Sequence, residues 1–183
     1  MKIALCLLAT LTLVSTLLGQ EFPLSRTSPS KTPAFTVDPT KDFHFELGRG
    51  SGMAGLDTIA FGRDGVVTLY KRLPEERWRT ATLTLDAAAM GRIFESVRTE
   101  GIMKMAAAYH ADMNDGTQWV LWIKQEEYTK AIYCNNHFPQ AVRRLAKLID
   151  TELGAAGLET VQWKKVPKKE FRQHEKPLWN SIK

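Results

Sequence analysis

The sequence predicts an α+β domain in which an antiparallel sheet of about five strands carries two amphipathic helices packed on one face. Several short segments alternate between apolar and polar residues, which is typical of half-buried strands. Two longer segments repeat apolar residues at helical spacing. The segments follow one another as strands, a helix, a strand pair and a second helix. Two helices on one face of an antiparallel sheet are the economical arrangement for that order.

Alternation and turn residues define the predicted strands. Phe43, Phe45 and Leu47 alternate with polar residues. The pair Asp64–Gly65 predicts a tight hairpin, because Asp-Gly tolerates the positive φ of a two-residue turn. Strands are expected at residues 42–47, 57–63, 66–71, 117–124 and 128–135, with a further short strand at 79–83.

Capping residues delimit the two predicted helices. Thr84 is expected to cap the first helix and Gly101 to end it. Pro139 suits the first turn of the second helix, and Gly154 is expected to end it. The inward-facing residues are Met90, Ile93, Phe94 and Val97 in the first helix and Val142, Leu145, Leu148, Ile149 and Leu153 in the second.

The amino terminus has the pattern of a signal peptide at residues 1–19. Lys2 precedes an uncharged apolar run from Ile3 to Leu18, and Gly19 is small enough to precede a cleavage site. Cleavage near Gly19 predicts an extracytoplasmic protein, secreted or periplasmic. An uncleaved membrane anchor is the alternative, although the run of about 16 residues is shorter than the roughly 20 that a spanning helix needs. No integral membrane span is expected after cleavage.

Composition divides the remaining chain into three parts. Residues 20–41 contain four prolines among Ser, Thr and Lys, which predicts an extended linker. Residues 42–156 form the predicted domain, and residues 157–183 a basic tail with two tryptophans. Residues 20–156 carry 17 basic and 17 acidic side chains, whereas the tail carries seven basic and three acidic ones. A neutral domain predicts no nucleic-acid partner, and a basic tail indicates contact with an anionic envelope surface.

One cysteine remains after signal cleavage. Because Cys6 leaves with the signal, Cys134 has no partner for an internal disulfide. Alternation in its strand predicts a buried, inert thiol. The competing hypothesis is a small extracytoplasmic hydrolase that uses either Cys134 with His137 or the segment that begins at His110. A nucleophilic thiol would require a base and a positive environment.

A glycine-rich segment matches G-x-G-x-x-G at Gly50, Gly52 and Gly55. A dinucleotide site also needs a helix that opens at the last glycine, and residues 56–63 alternate as a strand instead. The segment therefore predicts a loop between strands that meets a partner, without a cofactor. Its residues are Arg49, Gly50, Ser51, Gly52, Met53 and Gly55.

The segment from His110 to Gly116 gathers a histidine and two carboxylates. As a calcium loop it fails on spacing, because the glycine falls at position five from Asp112 and position twelve is Ile123. Zinc would require further ligands at a recognised interval. The segment predicts a surface loop, and no metal site is expected.

The tail combines cations with aromatic residues. This composition suits an anionic surface, and the alternative is a solvated arm in which Trp163 packs back on the domain. The residues concerned are Trp163, Lys164, Lys165, Lys168, Lys169, Arg172 and Trp179.

The segment from Arg49 to Gly55 resembles the R-x-G-G-x-A-G motif of emfourin-type domains, which are small inhibitors of thermolysin-like metalloproteases. The resemblance covers residues 43–153 in element order, with Ser51 in place of a motif glycine. It implies binding without catalysis. The sequence as a whole predicts an exported, non-catalytic binding protein whose partner is a protein, such as a protease, or an anionic envelope surface. An envelope-associated structural protein held by its tail is a further alternative.

Overall fold

Nine strands form one sheet in a computed structural model that describes residues 22–51, 54–73, 77–113 and 116–183. The strands are β1 (Leu24–Ser28), β2 (His44–Ser51), β3 (Gly55–Gly62), β4 (Val66–Leu73), β5 (Arg77–Thr84), β6 (Ala108–Ala111), β7 (Gln118–Gln125), β8 (Tyr128–Asn135) and β9 (Lys164–Val166). The helices are α1 (Ala87–Thr99), α2 (Gln140–Ala155) and α3 (Lys168–Asn180), with a 3₁₀ turn at Ile102–Lys104.

The strand order across the sheet is β1-β6-β8-β7-β2-β3-β4-β5-β9. Antiparallel hairpins join β2 to β3, β3 to β4, β4 to β5 and β7 to β8. β2 also pairs with β7, which joins the two halves of the sheet. β6 runs parallel to β8, so the sheet is mixed. Among the described strands, β1 and β9 form the two edges.

The main core lies between the sheet and the pair α1–α2. Residues such as Phe45, Ile59 and Ile132 face these helices, because side chains alternate between the two faces of a strand. Arg92 on α1 donates to both carboxylate oxygens of Glu152 on α2, at 2.6 and 2.7 Å. This bidentate ion pair links the two helices on that face.

α3 covers part of the opposite face of the sheet. Leu178 on α3 packs with Leu56 on β3 and Val120 on β7, and all three are fully buried. A Cβ atom on Gly48 would lie 2.5 Å from a methyl carbon of Leu178. Gly48 therefore allows α3 to approach β2 closely.

The predicted α+β class is confirmed, and the predicted number of elements is too small. The described residues form nine strands in a mixed sheet and three helices, in place of about five antiparallel strands and two helices. Edge strand β1 was not predicted, because its residues are largely exposed and do not alternate in hydrophobicity. β9 has only three residues, too few to show a period.

The segments expected to form a linker and a tail contribute to the sheet. β1 lies within residues 20–41 and pairs with β6, and Phe35 and Val37 pack against the main core. In the expected tail, β9 pairs with β5 and α3 buries Phe171 and Leu178. The folded unit is therefore wider than residues 42–156.

The turns and caps agree with the sequence only in part. Gly101 follows the end of α1, as predicted, with φ +65°. Pro139 directly precedes α2, and Gly154 lies inside α2, which continues to Ala155, so Gly154 does not end it.

The Asp64–Gly65 hairpin between β3 and β4 is confirmed, with Gly65 at φ +71°. The cap of α1 is Asp86 and not Thr84, since the Asp86 side chain accepts from the backbone N–H of Ala89 at 2.7 Å. Within the described residues, no helix is long and apolar enough to cross a membrane. Residues 1–21, which include the predicted signal peptide, lie outside the described residues.

Candidate functional site

The predicted glycine loop is the end of the β2–β3 hairpin. The two strands pair from His44–Gly62 to Ser51–Gly55, so Arg49, Gly50, Ser51 and Gly55 lie in strands. Gly52 and Met53 lie outside the described residues. A Cβ atom on Gly50 would come within 2.2 Å of the carbonyl oxygen of Gly55. Glycine at position 50 is thus required by the close approach of the two backbones.

α3 fixes this hairpin end from one face of the sheet. Gly55 has a φ of +93°, and a Cβ atom there would lie 3.0 Å from the Phe171 ring and 3.1 Å from a Glu175 carboxylate oxygen. The buried Glu175 carboxylate accepts from the Leu56 backbone N–H at 2.9 Å and from Arg172 at 2.7 Å. The hairpin end is therefore held by packing and by a charge-assisted hydrogen bond.

Arg49 anchors the hairpin on the opposite face. Its guanidinium donates to both oxygens of Asp150 on α2, at 2.6 and 2.7 Å. The guanidinium carbon also lies 5.8 Å from the centre of the Trp119 ring. Through these contacts Arg49 supports the position of the hairpin, and the partner-binding role that the sequence predicts for it stays a prediction.

A row of charged side chains continues from Arg49 across the sheet. Arg49 is directly opposite Asp57, Lys71 is opposite Arg79, and Arg79 is opposite Lys165. Burial raises the pKa of Asp57. The hydrogen bond that its carboxylate accepts from the backbone N–H of Arg72 is the largest opposing effect, and the nearby charge of Lys71 also acts to lower the pKa. The row is predominantly basic toward the β9 edge.

Three cavities adjoin the hairpin and this row. One of about 300 Å³ includes Gly50, Gly55 and Arg72 in its lining. A second of about 320 Å³ lies between the row and α2, and a third of about 110 Å³ lies beside it and shares two of its lining residues. The residues shared are Lys71 and Trp163. This end of the molecule thus combines clefts, charge and a fixed hairpin.

Two larger grooves lie away from the hairpin. A groove of about 780 Å³ runs between the β1–β6–β8 edge and the end of α3, and its lining includes His110, Tyr133 and Trp179. A groove of about 570 Å³ lies between residues 34–39 and α1. Neither groove contains the glycine hairpin.

The tail residues do not form one patch. Lys164 and Lys165 alternate on β9 and point to opposite faces of the sheet. Trp163 packs against the main core, whereas Trp179 packs against the apolar cluster of Leu56, Val120 and Leu178. The other predicted tail cations, Lys168, Lys169 and Arg172, lie on α3. A basic, aromatic surface of all seven residues is therefore not assembled.

A buried polar cluster under α3 was not predicted. Glu46 is 2 % exposed, with one carboxylate oxygen 2.9 Å from Nε2 of His44. Its other oxygen has no hydrogen-bond partner in the described part of the chain and lies 3.8 Å from Nε2 of His174. The His174 ring stacks on Tyr70 at 3.8 Å, and its Nε2 lies 2.9 Å from the Thr58 hydroxyl. Burial lowers the pKa of His174, against the opposing effect of Glu46.

The sequence shows the polar residues of this cluster but does not predict their burial. His44 and Glu46 occupy the polar positions of an alternating strand, which predicted a solvated face. Their burial depends on α3, which was not predicted. Among the described residues, no group of three or more His, Cys, Asp or Glu side chains is arranged to hold a metal ion.

The residues of the hydrolase hypothesis have unfavourable surroundings. Cys134 is buried in the main core, as its strand alternation predicts, and burial raises the pKa of its thiol to about 12. Nδ1 of His137 lies 3.0 Å from the carbonyl oxygen of Phe22. His110 is on the other face of the sheet, edge-on to Tyr133. Asp112 is exposed, and residues 114 and 115 lie outside the described residues.

Two comparisons with known proteins give no match. The chain matches no protein-family model, and a search of curated proteins gives no significant match.

Proposed function

We propose that this chain is an exported, non-catalytic binding protein that contacts a protein partner with the end of its β2–β3 hairpin. The observation that carries the proposal is the double anchoring of the hairpin. Glu175 on α3 accepts from Leu56 on one face, and Asp150 on α2 holds Arg49 on the other. Strand ends that are held in place before binding lose little conformational entropy when a partner arrives, which favours affinity.

A thermolysin-like metalloprotease is the proposed partner. The support is the resemblance of residues 49–55 to the emfourin motif, together with the location of that motif at the anchored hairpin. The burial of Cys134 and the raised pKa of its thiol favour binding over thiol catalysis. Inhibition would follow if the hairpin end blocked access to the protease active site.

Titration of a thermolysin-like protease with the purified chain tests this proposal. We expect loss of peptidase activity at micromolar excess. Met53→Asp, in the middle of the loop sequence, should weaken inhibition at least about tenfold, because a charge placed in a contact surface carries a desolvation cost. Met113→Asp is the matched control, since Met113 is exposed in a different loop. Full protease activity at micromolar excess would reject the protease as partner.

Export is tested separately from binding. Mass spectrometry of the protein recovered from the medium or periplasm should find Gln20 as the first residue. Recovery in the membrane fraction with residues 1–19 intact would support the uncleaved anchor instead.

A further inference from the structure

A small cleft beside the β9 edge is lined by two cations and two apolar side chains. Its volume is about 110 Å³, and its lining residues are Lys71, Leu73, Arg79 and Trp163. Lys71 and Arg79 are direct cross-strand partners on β4 and β5, so their side chains leave the sheet side by side. This volume suits a single small group and not an extended ligand.

Arg79 has an unused hydrogen-bond donor. Its Nε atom is buried, and no acceptor is within hydrogen-bond distance in the described part of the chain. A buried N–H without a partner destabilises the fold, because its hydration has been lost without compensation. Arg79 also lines the cleft, so an oxygen acceptor bound there would lie beside its guanidinium group. Guanidinium groups bind carboxylates and phosphates in a planar, directional geometry.

The surrounding charge selects a compact anion. Lys165 on β9 is opposite Arg79, so three cations occupy adjacent strands. The neighbouring cavity is lined by Asp57, Asp150 and Glu159, which border the cations on one side. A broad anionic surface would be repelled by these carboxylates, whereas a flexible acidic segment can place one carboxylate beside the cations and keep the others away.

We propose that this cleft binds a carboxylate side chain from an acidic segment of the partner protein, with Lys71 and Arg79 as anion ligands. Trp163 and Leu73 provide apolar walls for the methylene groups of a Glu side chain. The inference rests on the proposed binding function and names the chemistry of its partner. Its test uses the purified chain without any protease. A cleft that binds no carboxylate would therefore not affect the hairpin proposal, and absence of protease inhibition would not affect the cleft proposal.

The first experiment follows the Arg79 Nε–H resonance in ¹⁵N-edited NMR spectra of the full chain. Titration with acetate should shift this resonance in a saturable way, and comparison with Arg79→Gln assigns it. Inorganic phosphate is the second probe, since it presents the same oxygen chemistry. Absence of a shift with acetate, including the case in which phosphate alone acts, would overturn the carboxylate assignment.

The second experiment measures affinity for a fluorescent octapeptide of glutamate by anisotropy at low salt. Arg79→Gln and Lys71→Gln should each weaken binding about tenfold, because each removes a charge-assisted contact. Lys164→Gln is the matched control, since it removes the same charge from β9 on the opposite face. It should change binding less than about twofold.

The same variants also test whether the cleft binds an anionic lipid instead of a peptide carboxylate. Vesicles of phosphatidylglycerol replace the peptide in a sedimentation assay. Vesicle binding that depends on Arg79, with no peptide binding, would overturn the proposal in favour of an anionic lipid surface. If Lys164→Gln weakened peptide binding as much as Arg79→Gln or Lys71→Gln does, the proposal would also be overturned. That result would mean that binding depends only on net charge. Lys71 is exposed, so Lys71→Gln provides the answer even if Arg79→Gln does not fold.

Discussion

Gly55 combines two constraints that only glycine meets. Its φ of +93° is unfavourable for other residues, and the space beside its Cα is occupied by Phe171 and Glu175. The residue therefore connects the strand pair to α3. It accounts for one glycine of the predicted loop motif through packing, independently of any partner.

Gly55→Ala is expected to lower the free energy of unfolding by about 1–3 kcal/mol, because the backbone becomes strained and the new methyl group crowds α3. Urea denaturation followed by tryptophan fluorescence measures the change. Gly91→Ala is the control, because Gly91 lies inside α1 and a methyl group there would point into open space. Alanine at this position should raise the free energy of unfolding by about 0.5–1 kcal/mol. Equal effects at both positions would contradict the packing argument.

Cys134 provides a residue-scale test of the hydrolase hypothesis. Because the thiol is buried and its pKa is raised to about 12, we expect no reaction of the folded protein with a thiol reagent at about pH 8. A chain carrying Cys6→Ser isolates the signal of Cys134. The thiol should react completely in denaturant. Rapid labelling of the folded protein would show an accessible thiolate and revive the hydrolase hypothesis.

Residue environments were predictable from the sequence only where local alternation decides them. The burial of Cys134 follows from the period of its own strand. The partners of Arg49 and Arg79 depend on the register of distant strands and on the position of α2, which no local pattern contains. The sequence therefore identified Arg49 as a candidate binding residue but could not predict its contact with Asp150 on α2.

At the scale of elements, α3 was missed because its sequence is strongly polar. Only Phe171, Glu175 and Leu178 are buried among its thirteen residues, and Pro177 lies in its last turn. Pro177 has no backbone N–H to donate to the carbonyl four residues earlier, so the local sequence argues against a helix here. Tertiary contact with the sheet supplies the stability that the local sequence lacks.

His174 makes the attachment of α3 sensitive to pH. Burial lowers its pKa below the ordinary 6.5. The charges around it are those of Glu46, Glu175 and Glu170, which act to raise the pKa, and of His44, which acts to lower it. The unfolded chain therefore takes up a proton at a higher pH than the folded chain does. Stability attributed to His174 is fully present above pH 6.5 and is lost as the pH falls from there toward the lower pKa of the folded state.

Denaturation midpoints measured between about pH 7.5 and pH 5 test this linkage. The wild-type chain should lose more stability over this range than His174→Gln, in which the titrating group is absent. His110, whose pKa is also lowered by burial, contributes equally to both proteins. Parallel pH dependences in the two proteins would mean that His174 does not couple protonation to folding.

At the scale of the whole molecule, the positive charge of the carboxyl-terminal segment belongs to a folded part of the protein. Residues 164–166 complete the sheet and residues 168–180 cover its second face. The sequence placed this charge in a tail outside the folded domain, whereas β9 and α3 belong to the fold. The structure of this segment depends on an apolar surface provided by Leu56 and Val120, which are distant in the chain, so no local sequence pattern predicts it.

Deletion of residues 164–183 is therefore expected to damage the fold. The truncated chain loses the buried side chains of Phe171 and Leu178 and exposes Leu56 and Val120 to water. We expect the free energy of unfolding to fall by more than about 3 kcal/mol, since each large buried side chain contributes about 2–5 kcal/mol. Urea denaturation measures the loss, and binding of a hydrophobic fluorescent dye reports the exposed surface.

A charge-matched control separates packing from electrostatics in this deletion. The triple variant Lys164→Gln, Lys169→Gln and Lys176→Gln removes three exposed cations from the same segment and retains its apolar contacts. It should unfold within about 1 kcal/mol of the wild type, because exposed charges contribute little to stability. If the truncated chain were as stable as this variant and bound no dye, residues 164–183 would be an appendage. The second face of the sheet would then be stable without α3, and the anchoring of the hairpin by Glu175 would lose its role.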